Sequence, residues 1–106
     1  GETALTMHAT NDGDDVIVLE GAGLTLDSGR TALPPPAQLH MFPRRLARGE
    51  KQSVWFEIPT LVNALKAQSH EVDLPKIGWF NDSAGRKYRQ LVSRNTRETG
   101  KNFWAS

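Results

Sequence analysis

Turn-forming clusters recur along this chain at intervals of about ten residues, and they confine it to short regular segments. Asn11-Asp12-Gly13-Asp14-Asp15, Gly21-Ala22-Gly23, Asp27-Ser28-Gly29-Arg30, Pro34-Pro35-Pro36 and Asp82-Ser83-Ala84-Gly85 each interrupt a periodic pattern. Gly and Asn tolerate positive φ, Asp bonds its own backbone, and Pro cannot donate to a sheet ladder. The runs left between these clusters are too short for a helical core. They are rich in the aliphatic and aromatic residues that strands favour.

The stretch from Arg44 to Arg89 carries the strongest patterns. Ser53-Val54-Trp55-Phe56-Glu57-Ile58 and Lys76-Ile77-Gly78-Trp79-Phe80-Asn81 read as strands. Alternation sends one of Trp55/Phe56 and one of Trp79/Phe80 into the core and the other member of each pair outward or under the helix. Between the two runs, Pro59 suits a helix start, and Leu61, Val62, Ala64 and Leu65 form one apolar stripe. One short helix near residues 60–68 follows. Upstream, Leu5, Met7 and Ala9 alternate with Thr6, His8 and Thr10, and Val16-Ile17-Val18-Leu19 follows the acidic turn, which predicts a hairpin. Gly21-Ala22-Gly23 marks a bulge or bend before a strand at Leu24–Leu26, and Thr31–Leu33 returns. The three prolines form a rigid crossover to a short edge strand at Gln38–Phe42. Arg44–Glu50 reads as a loop closed by Gly49, and Arg86–Val92 as the last strand. Residues 1–92 are then one domain and residues 93–106 a basic tail ending in Phe103-Trp104. That tail is mobile unless its aromatic pair docks, and fold-back onto the same molecule is the favoured outcome.

The expected fold is mostly β: an antiparallel β-sandwich of seven or eight short strands with one short helix. The succession Leu46-Ala47-Arg48-Gly49-Glu50 leading into Val54-Trp55-Phe56, with the late hairpin Trp79 to Tyr88, resembles immunoglobulin-like and fibronectin-III-like modules. That resemblance implies a sandwich that works through loops and strand edges. The chain departs from antibody-type domains in having no cysteine pair about a core Trp, and in placing a helix where they have a loop.

A chain of 106 residues is one domain and can bury a core without staples. With no Cys, disulfides, thiolate metal sites and thiol nucleophiles are excluded. Nothing approaches the apolar run of about 20 residues that a membrane helix needs, so no membrane partner is expected. The absence of Cys is compatible with a reducing compartment, and the reading leans to the cytoplasm. The chain opens at Gly1 with no initiator Met, as a fragment or processed form would. Charge is divided along the sequence: residues 1–43 hold six acids and one base (Arg30), and residues 44–106 hold twelve bases and six acids.

No constellation of catalytic residues stands out. His8, His40 and His70 show no metal-ligand spacing, so a zinc site would need all three to converge with a carboxylate. Ser53 and Ser83 lie outside any nucleophile-elbow motif. Asp12, Asp14 and Asp15 do not continue into a calcium loop, with Glu20 beyond a strand, and read as a solvated turn. Asn81-Asp82-Ser83 matches a glycosylation acceptor, a triplet common by chance. Neither catalysis, metal nor cofactor is expected. Bases and aromatics remain: Arg44, Arg45 and Arg48 in one segment, Arg86, Lys87 and Arg89 in another, and Phe103 and Trp104 at the end. They mark a contact surface for a protein partner, with self-association through the tail as one form of it. Bases beside aromatics also suit single-stranded nucleic acid, the alternative reading, in which phosphates are neutralised and bases stacked. The bland reading of the same charges is protection of strand edges.

Overall fold

The computed structural model describes residues 3–106. The chain is mostly β, with antiparallel pairing throughout and three helices among the described residues. In order, the elements are β1 (Ala4–Thr10), β2 (Ile17–Leu26), β3 (Thr31–Ala32), α1 (Pro36–Leu39), β4 (Arg44–Leu46), β5 (Lys51–Glu57), α2 (Ile58–Lys66), β6 (Pro75–Asp82), β7 (Lys87–Leu91) and α3 (Arg94–Ala105). One sheet pairs β1 with β5. The other runs β3-β2-β6-β7, with β4 also on β2.

Alternation explains the core. β1 turns Leu5 and Met7 inward, β5 turns Val54 and Phe56 inward, and β2 and β6 add Leu19, Leu24 and Phe80. α2 closes the core with Ile58 and Val62, reached directly from β5 with Pro59 in its first turn. The sheets meet closely at Gly78, where a Cβ would overlap Met7 Sδ, so a larger residue there would push the Met7 side chain aside. Of the aromatic pairs, Phe56 and Phe80 are buried, Trp79 is half-buried, and Trp55 is exposed.

Several sequence expectations are corrected. The β1–β2 hairpin does not form: β1 pairs with β5, from Ala4 opposite Glu57 to Thr10 opposite Lys51, and β2 pairs with β6. The acidic segment is a crossover because buried Asn11 ties it to the far end of β5. Asn11 N–H donates to Glu50 O at 3.0 Å, and its side-chain amide donates to Leu46 O and Asp15 O, both at 2.8 Å. The two strands expected at 16–19 and 24–26 are one, because the glycines are absorbed by a register shift between Leu19 and Gly21 and do not end the strand. Arg44–Leu46 is strand β4, not loop, since β2 offers it a free edge. The edge strand expected at 38–42 is instead helix α1 and the turn after it: Pro36 begins the helix and Gln38 is directed inward. The single helix becomes three. Residues 94–105 form α3, capped by Ser93, whose hydroxyl accepts from Thr96 N–H at 3.2 Å. α3 packs on α2, Gly100 sits against Leu74, and Phe103 and Trp104 lie on the core.

Candidate functional site

The bases singled out in the sequence divide into those that are engaged and those that are presented. Arg44 turns between the sheets and donates to Gln52 Oε1. Arg48 pairs with Asp14 at 3.0 Å, both exposed. Arg45 is exposed on β4 opposite Val18. Phe103 and Trp104 are spent on packing. Arg86, Lys87 and Arg89 gather on the β6–β7 hairpin, where Arg86 Nε lies 3.4 Å from Asp82. The structure thus brings together the second basic group and keeps the first apart from it.

Asp82 builds this hairpin. Its buried carboxylate accepts from the backbone N–H groups of Ala84 and Arg86 at 3.0 and 2.8 Å and from Tyr88 Oη at 2.6 Å. The Tyr88 bond, above all, holds Asp82 below the usual carboxylate range. Burial works against this, and the two N–H groups and the Arg86 charge support it. The same bond, with burial and the Asp82 charge, pushes the Tyr88 phenol up. Gly85, at φ +83°, completes the turn. β7 therefore starts from a fixed point with Tyr88 aimed inward.

Register then sets which backbone groups of β7 are free. Val92 N–H donates to Lys76 O and Asp82 N–H to Arg86 O, so the even-numbered residues of β7 are the hydrogen-bonded partners of β6. Lys87, Arg89 and Leu91 consequently direct N–H and C=O away from the sheet. Every residue of β7 is exposed, Leu91 at 75%. On the outer face Arg89 stands opposite Trp79, and Lys87 Nζ lies 4.3 Å from the Trp79 ring centroid. The ring packs on Gly23, where a Cβ would come within 2.5 Å of it.

A second free edge runs alongside. Trp55 N–H and C=O bond outward to the side-chain amide of Gln38, both at 2.8 Å, so Thr6, opposite Trp55, points its own backbone groups away from β5. The same alternation applies to His8, whose ring bonds Ser53 Oγ at 2.7 Å. Between β1 and β7 lies a cavity of about 280 Å³, with Met7, Ile17, Leu19 and Phe80 at its floor and His8, Tyr88 and Gln90 at its mouth. It continues along Thr6, Leu91 and Val92. The lining residues advance along β1 as they retreat along β7, so the two edges run antiparallel.

The other sequence candidates stand apart. His40 and His70 are exposed, and Asp12, Asp14 and Asp15 lie on an exposed turn. Among the described residues no three His, Cys, Asp or Glu side chains form a group that could hold a metal. Asn81, of the glycosylation triplet, sits within β6 with its Oδ1 against Gly21. Sequence reasoning missed Tyr88, Leu91, Thr6 and His8 as site residues. Alternation was visible in both strands, but the absence of a neighbour beside an edge strand has no sequence signal. It also missed a second apolar recess, of about 320 Å³, around Leu33, Trp55 and Leu61. The outward half of the Trp55-Phe56 pair was its signal.

Comparison of the chain with protein-family models, with curated proteins and with solved structures gave no match. No described helix is long and apolar enough to cross a membrane.

Proposed function

We propose that this protein is a non-catalytic binding module that takes up an extended segment of a partner protein as an added strand on β7. The observation that carries the reading is the free edge itself. β7 offers three consecutive outward-directed backbone pairs, at Lys87, Arg89 and Leu91, beside a cavity that has room for the side chains of an added strand. Main-chain bonds would supply affinity, and the alternate side chains would supply selectivity. Edge protection by Lys87 and Arg89 explains the charges but not a 75% exposed Leu91 on the outer face of the same open edge. We read the two sheets as the faces of a sandwich, supported by the core they share and by Met7 seated on Gly78. The immunoglobulin-like resemblance stands as part of the same proposal.

Nucleic acid fits this surface less well. Of the aromatics beside the free bases, Trp79 rests on Gly23 and is covered by Lys87, and Tyr88 is held toward the cavity by its bond to Asp82, so a base stacking on Trp79 must first displace the lysine.

The reading is tested by closing the edge without breaking the sheet. Arg89 N–H makes no ladder bond, so Pro is tolerated there as it is on other edge strands. Arg89→Pro should keep the circular dichroism spectrum and lose binding to peptides selected from a random extended library. Arg89→Ala should retain most of it. Equal binding by both variants overturns strand addition.

A further inference from the structure

We infer that the strand taken up on β7 is acidic, with its acids at alternate positions; this rests on the strand-addition reading above. The inference comes from register and charge. Residues directly opposite one another in adjacent strands share a face, as Arg89 and Trp79 do. A segment added antiparallel to β7 would therefore place the residues opposite Lys87, Arg89 and Leu91 on the outer face. Those opposite Tyr88 and Gln90 would turn toward the cavity floor of Met7, Ile17, Leu19 and Phe80. Arg89 makes no ion pair among the described residues, and Lys87 has only the Trp79 ring. Opposite two cations the favoured residues are carboxylates, and like charges are excluded. Opposite Leu91 and over the apolar floor the favoured residues are apolar.

Read from the incoming N-terminus, which lies opposite Leu91, the pattern is apolar, apolar, acidic, apolar, acidic. The same arithmetic disfavours a second copy of the chain as the occupant. Two β7 edges paired about Arg89 would set Arg89 against Arg89.

The test uses the full chain and three labelled peptides sharing a Val-Val-X-Val-X centre, with X as Glu, Gln or Lys, read by fluorescence anisotropy at two salt concentrations. Two cross-strand ion pairs predict that the Glu peptide binds about 2- to 30-fold more tightly than the Gln peptide. Its advantage should shrink as salt rises, and the Lys peptide should bind least. The double variant Lys87→Glu/Arg89→Glu should invert the order. Equal affinity for the Glu and Gln peptides, or an order unchanged in the double variant, overturns the acidic preference and leaves strand addition standing. No binding by any of the three overturns both. A single-stranded oligonucleotide that displaces the Glu peptide and binds more tightly than it also overturns the proposal, in favour of nucleic acid.

Discussion

Asp82 and Asp73 carry more of the fold than their neighbours in sequence suggest. Asp73 is buried and receives Ser28 N–H at 2.9 Å, Ser28 Oγ at 2.6 Å and Arg30 at 3.0 Å. Burial pushes its pKa up, but the two Ser28 bonds and the Arg30 charge outweigh this and hold it below the usual range. Asp82 is lowered as well, chiefly by Tyr88. A carboxylate whose folded pKa is depressed gives stability that is complete above its unfolded value of about 3.9. That stability is lost as pH falls through the lower, folded value. The melting temperature should therefore hold from neutral pH to about 4 and drop below it. Asp82→Asn should lower it at neutral pH and flatten the acid limb, measured by thermal melts across pH 2–7. Phe80, buried where β6 faces the core, is an independent probe: Phe80→Ala should cost about 3–5 kcal/mol in urea denaturation.

Among the elements, β1, β5, β6 and β7 were legible because each alternates or is flanked by turn residues. α2 was legible from its stripe, of which Val62 and Leu65 are buried. α3 was not. Its sequence is polar on most faces, and its helical state depends on a Ser93 cap, on Arg97 reaching Pro75 O at 2.7 Å and Asp27 at 3.0 Å, and on a glycine that lets it lie against Leu74. These are tertiary causes, and a helix of twelve residues would be marginal alone. β4 likewise exists only because β2 is there to pair with. Deleting residues 93–106 should lower the melting temperature by the same amount at every protein concentration, because Phe103 and Trp104 cover the core of their own molecule. A concentration-dependent loss of oligomer, seen by sedimentation, would assign the aromatic pair to an interface instead. Gly100→Val should weaken α3 more narrowly, since a Cβ there already meets Leu74 at 3.2 Å.

At the scale of the whole molecule, the pairing of distant strands decided what the sequence could not. The division of charge along the chain did not become a division in space. Acidic Asp14 meets Arg48, and Asp27 meets Arg97. Half of the candidate surface was legible, as the bases of β7. The other half, an empty place beside β7, arises from β1 crossing over to β5. A far-ultraviolet spectrum should contain more strand than helix, in keeping with 40% strand and 24% helix, and helix dominance would contradict the fold. The Gln38 amide on Trp55 has a consequence for assembly. By imitating a neighbouring strand it takes up the outward-directed backbone pair at Trp55, in the middle of β5, and β3 and β4, at two and three residues, give little foothold on the other sheet. The long edges of β1 and β7 face one gap. A strand added to β7 as proposed would enter that gap and meet β1 on its other side, so a further strand would find no edge there to join. On that proposal one added strand fills the gap, so titration of the chain with the Glu peptide should saturate at one equivalent.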